Sequence, residues 1–170
     1  MTRAIVFGLV LGLCGSACGP TVDLTTGLTI EEPTTGWVDA GIVDGLNKLV
    51  PAVTFTVKNV SNQTLPALQV NAVFRRVTET EGWGDGFRSL SGSGGLAPGA
   101  AAGPVTLQAQ LGYTGSDSAA ELLHHSQFVD VKVDVFAKYG STKWTRLGEY
   151  PVARQIMERP RTESRTRTGH

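Results

Sequence analysis

The stretch Val129-Asp130-Val131-Lys132-Val133-Asp134-Val135 constrains the fold more than any other part of the chain. Successive side chains of an extended strand point to opposite faces, so the alternation places the valines together and Asp130, Lys132 and Asp134 on the other side. A helix would scatter the same valines around its circumference. β-branched side chains suit a pleated, half-buried surface, so the segment is expected to be a central strand with dry valines and wet charges.

The same period recurs elsewhere. In Val53-Thr54-Phe55-Thr56-Val57 the odd positions are apolar, and in Leu68-Gln69-Val70-Asn71-Ala72-Val73-Phe74 the even ones are. Between them Asn59 to Leu65 supplies Asn and Ser side chains that bond their own backbone, which predicts a hairpin. Val105 to Leu111 alternates again after the turn signal Leu96-Ala97-Pro98-Gly99. Lys138 to Ser141 reads as a turn into a returning strand from Trp144 to Val152, with Pro151 marking an end or an edge. Ser118-Ala119-Ala120-Glu121 fits a capping box and predicts one short helix running into His124 and His125. Short strands joined by turn signals, with little helix, predict an all-β antiparallel two-sheet sandwich over residues 36–157.

The start of the chain has a different character. Arg3 precedes an apolar run from Ala4 to Leu13, then small residues lead to Cys18. That run falls short of the roughly twenty residues that cross about 30 Å of hydrocarbon, so residues 1–17 read as a cleaved signal peptide. Gly15-Ser16-Ala17-Cys18 resembles the bacterial lipobox. The resemblance implies a diacylglycerol on the Cys18 sulfur and a membrane anchor at the mature N-terminus. Gly19, in place of Asp, implies by the same resemblance the outer membrane, facing the periplasm. A general signal peptidase would also accept Gly15 and Ala17 and release a soluble protein, so both cuts stay open. Cys14 and Cys18 are the only cysteines, so the folded part has no internal disulfide. Residues 18–35, rich in Thr with Pro33, read as a lipidated Cys18 followed by a flexible spacer with room for one short strand around Leu28 to Ile30. Residues 158–170, with several arginines and no large apolar side chain, read as a disordered tail.

Leu49 to Val77, together with Leu96 to Leu107, is similar to the Ig-like or fibronectin-like sandwiches of bacterial envelope proteins, FxLYD-type modules being the nearest comparison. The matching places are Val57, Asn59, Leu65, Val70, Phe74 and Pro98-Gly99. The resemblance implies a sandwich and brings no catalytic residue with it.

Lys and Arg together number 15, as do Asp and Glu, so no global field favours nucleic acid. The glycine-rich stretch Ser89 to Gly95 lacks the Lys-Ser/Thr ending of a phosphate loop, and no Gly-x-Ser-x-Gly elbow occurs. Glu121 and His125 would share a helix face, but two ligands do not make a zinc site. No metal, cofactor or catalytic group is expected. The aromatic residues remain. Trp37 and Trp144 lie in strand-like stretches and are expected in the core, whereas Trp83 stands among Gly82, Gly84 and Gly86 and is expected on an exposed loop. Trp83, Phe87 and Arg88 are therefore the ligand-binding candidates. The expected function is a non-enzymatic envelope lipoprotein, an interaction or structural module with an envelope protein or glycan as partner. The alternative is a carbohydrate- or peptide-binding module that uses the loop aromatics.

Overall fold

A computed structural model describes residues 21–158. The segment expected to be a signal peptide, Cys18 and the residues beyond Glu158 lie outside the described residues. The rest is an antiparallel two-sheet sandwich in which two short helices, α1 (Leu24–Gly27) and α2 (Ala119–His124), occupy opposite ends.

The first sheet is built on a long hairpin of β1 (Leu28–Val43) and β2 (Leu46–Asn59), flanked by β5 (Ala101–Gln108) beside β2 and by β9 (Ile156–Met157) in parallel beside β1. β6 (Tyr113–Gly115) pairs with the first residues of β2. The second sheet runs in the order β4 (Gly84–Ser89), β3 (Gln69–Arg76), β7 (Val131–Lys138), β8 (Thr145–Pro151). Val53, Phe55 and Val57 of one sheet and Val70, Ala72, Phe74, Val131, Val133 and Val135 of the other fill a single core. As the alternation predicts, β7 is flanked on both sides, by β3 and β8, and its valines are dry. β8 is an edge strand that ends at Pro151, where a missing N–H costs no ladder bond. The helix predicted from the capping box is also present: Glu121 accepts from the Ser118 N–H at 3.0 Å while the Ser118 hydroxyl accepts from the Glu121 N–H.

Four expectations need correction. Residues 24–35 are not a spacer: Asp23 caps α1, Leu24 is buried, and β1 begins at Leu28. The threonines there have good strand propensity, and Pro33 is tolerated because a bulge with Glu32 at φ 51° lets it leave the ladder. The folded domain therefore starts ahead of residue 36. Second, β2 and β3 do not form a hairpin. They belong to different sheets, and the intervening residues cross between them, held by the Leu65–Leu96 bridge and by buried Leu65 and Leu68. Alternation reports that one face is dry, but not whether the neighbour pairs sideways or packs across the core. Third, Val129 precedes β7 and is only half-buried. Fourth, Asp134 is not wet. It is fully buried on the outer face of the second sheet, where Arg75 Nη1 donates to it at 2.5 Å and Arg146 Nε at 2.6 Å.

The crossing between sheets is organised by Asn59, which is itself fully buried. Its Nδ2 donates to the carbonyls of Gln63 and Leu96 at 2.8 Å each, and its Oδ1 accepts from the Ser61 amide and hydroxyl. A buried amide is tolerated only when its bonding capacity is used, and here both ends are used.

Candidate functional site

Two flanks of the sandwich differ. On one, the edge strands β4 and β5 meet without sharing a ladder among the described residues, since β4 pairs with β3 and β5 with β2. Glycine makes the approach possible. A Cβ at Gly84 would lie 2.9 Å from the Ala109 Cβ, and one at Gly86 would lie 2.8 Å from the Gln108 carbonyl oxygen.

Beside this seam, along the outer half of the β1–β2 hairpin, lies a groove of about 540 Å³. Ala40, Val43 and Val50 give one apolar wall. The other side presents Phe87 and Arg88 from β4 and the polar side chains of Thr106, Gln108 and Gln110. Lys48 supplies a second cation, and no carboxylate lines the groove. The hairpin ends in the tight turn Asp44-Gly45, with φ of 51° and 78°, and its tip exposes Ile42, Val43 and Leu46.

The ligand-binding candidates from the sequence separate here. Phe87 and Arg88 line the groove, and Phe87 is 55% exposed. The Phe87 ring stands edge-on to Trp144 with centroids 6.3 Å apart, and the Lys138 ammonium lies 5.0 Å from the Trp144 ring. Trp144, expected in the core, is on the surface at 40% exposure. Trp83 moves the other way. It is half-buried and closes the far end of the core with Trp37, Tyr113 and Phe128, its ring 5.1 Å from Tyr113 and capped by the Arg76 guanidinium at 4.5 Å. Flanking glycines do free the backbone around Trp83, but burying an indole face against other aromatics outweighs that freedom. Lys48, Gln108 and Gln110 were missed because no local motif marks them; they come together only through the pairing of β2 with β5.

A second cavity of about 320 Å³ lies beneath α2, between Tyr113, Leu122, His125 and Phe128. It does not gather ligands. The Glu121 carboxylate is engaged by Ser118, whose hydrogen bonds hold it below the usual carboxylate range, and His125 Nδ1 accepts from the Gln127 N–H. Among the described residues no three His, Cys, Asp or Glu side chains converge as a metal site would require. No helix of the described residues is long and apolar enough to cross a membrane.

No protein-family model and no curated protein matches the chain. Among solved structures it is similar to the X-ray structure of Northeast Structural Genomics Consortium target SoR45, at 12% identity and a TM-score of 0.42, over 87% of this chain and 96% of that one. A likeness of this size carries no statement about ligand or activity.

Proposed function

We propose that this chain is a non-enzymatic lipoprotein of the bacterial cell envelope, anchored through Cys18, whose sandwich binds an envelope component in the groove beside β4 and β5. The observation that carries the reading is the lining of that groove, where Phe87 and Arg88 of β4 meet Lys48, Gln108 and Gln110 with no carboxylate among them. Amide and hydroxyl groups and two cations, with no carboxylate among the lining residues, suit a carboxylate-bearing glycan. Such a ligand bonds to the glutamines, pairs with Lys48 and Arg88 and is bounded by Phe87 at the edge of the groove. This favours the carbohydrate-binding alternative over a purely structural role.

The anchor is supported by the small residues before Cys18 and by the signal layout. Cys18→Ala should move the protein from the membrane fraction to the soluble fraction, and the intact mass should lose its diacylglyceryl increment. For the groove, the test uses the soluble Cys18→Ala protein titrated with peptidoglycan fragments. Trp144 serves as reporter, since its ring contacts that of Phe87. Saturable change in its emission is expected, with affinity lowered roughly tenfold, about 1.4 kcal/mol, by Phe87→Ala. A response that Phe87→Ala and Arg88→Ala leave untouched would remove the groove from the function.

A further inference from the structure

We infer that the end of the sandwich bearing α1 faces the lipid headgroups and that the charged loops of the opposite end are held away from them. The inference rests on the anchoring of Cys18 proposed above. Val22 is already tied to the fold, its N–H donating to the Tyr139 hydroxyl at 2.6 Å, and Asp23 caps α1 through the Thr25 N–H. From Cys18 to Val22 the backbone reaches at most roughly 15 Å. The tether is therefore short, and it joins the domain at one end rather than along a side.

The two ends differ in charge. Around α1 three loops are knitted together: the Val60 N–H donates to Gly27, the Gly99 N–H to Asn59 and the Gly140 N–H to Pro66. These loops, 60–67, 90–100 and 139–143, consist of Ser, Thr, Asn, Gln, Gly, Pro and apolar residues, with Lys143 as their single charge. The Asp23 carboxylate at this end is engaged by Thr25. At the opposite end the connecting segments carry Asp44, Glu79, Glu81, Asp117, Glu121, Asp130 and Arg154. A surface crowded against headgroups loses water. Hydroxyl and amide groups exchange water for lipid oxygens at small cost, whereas carboxylates would be both desolvated and repelled by anionic lipid.

β1 runs away from this base for 16 residues, which is roughly 50 Å of strand at ~3.3 Å per residue. Its last part reaches the turn at Asp44-Gly45, among the charged connections of the far end. The base thus takes the bilayer as its partner, while the charged loops face away from the headgroup layer.

The test uses full-length lipidated protein in vesicles of phosphatidylethanolamine and phosphatidylglycerol carrying a headgroup-attached quencher. A fluorescent non-natural side chain is placed at Ser93 in one preparation and at Glu81 in another. The Ser93 reporter should lose most of its emission and the Glu81 reporter almost none. A long Gly-Ser insertion after Gly19 should relieve the quenching at Ser93. Equal quenching at both sites, or stronger quenching at Glu81, would overturn the orientation while leaving the anchor intact. An intact mass without lipid on Cys18 would instead overturn the anchor and the orientation with it.

Discussion

Val133 and Asn59 mark what single side chains contribute to this fold. Val133 is fully buried between the sheets, and Phe74 pairs with it from β3. Val133→Asp would place a carboxylate there without a partner, and the expected loss exceeds about 4 kcal/mol, enough to abolish the cooperative unfolding transition in urea. A variant that melts like the parent would contradict the inward facing of the valines. Asn59→Ala acts differently. It leaves the carbonyls of Gln63 and Leu96 without their Nδ2 donor, and the expected cost is about 2–4 kcal/mol, read as a lower urea midpoint at unchanged slope. The alternation made the role of Val133 readable from sequence. That of Asn59 was only half readable: an Asn in a turn is expected, but its bond to Leu96 spans a distance in sequence that no local pattern reports.

At the scale of elements, α2 and the β4–β5 seam give the sharpest expectations. Hydrogen bonds from Ser118 depress the Glu121 pKa, so the folded value lies below the unfolded one. The cap is whole above the ordinary carboxylate range and is lost as pH falls through the depressed folded value. The Cα chemical shifts of Ala119–His124 should move toward coil on acidification through that range, whereas Glu121→Gln should abolish this step. At the seam, Gly86→Val would push a side chain against the backbone of Gln108, which cannot swing aside as a side chain would. A cost of about 1–3 kcal/mol is expected, with amide shifts confined to β4 and β5.

Strand existence was legible for β5, β7 and β8, and the capping box located α2. The long β1 was not, because Thr, Pro33 and Gly36 look like linker, and the bulge that accommodates Pro33 exists only once β2 lies alongside. The Asp44-Gly45 dipeptide between apolar residues was the available signal for the β1–β2 hairpin, and its two left-handed residues carry that turn. Phe87 and Arg88 were singled out on a glycine-rich segment read as a loop, which the fold makes the edge strand β4. Trp83, read by the same rule, was drawn into the core by aromatic neighbours that lie far away in sequence. Sheet partnership, which decides the groove, depends on which faces meet across the core, and alternation is silent on that.

At the scale of the whole molecule, the sandwich separates its tasks along one axis. The end bearing α1 has few charges, the middle holds a continuous apolar core, the groove runs along the β4–β5 flank, and the far end carries the charged loops. Stability and recognition therefore rest on different residues: Phe87, Arg88 and Lys48 can be changed with little effect on the core, since Phe87 and Arg88 are exposed and Lys48 lies outside it. The measurement that bears most directly on the account is a heteronuclear NMR titration of the Cys18→Ala protein with peptidoglycan fragments. Shifts concentrated at Lys48, Gly86–Arg88 and Thr106–Gln110, weakening as salt is raised, are predicted. Shifts gathered instead around α2 and the cavity beneath it, or the same shifts persisting in Phe87→Ala and Arg88→Ala, would contradict it.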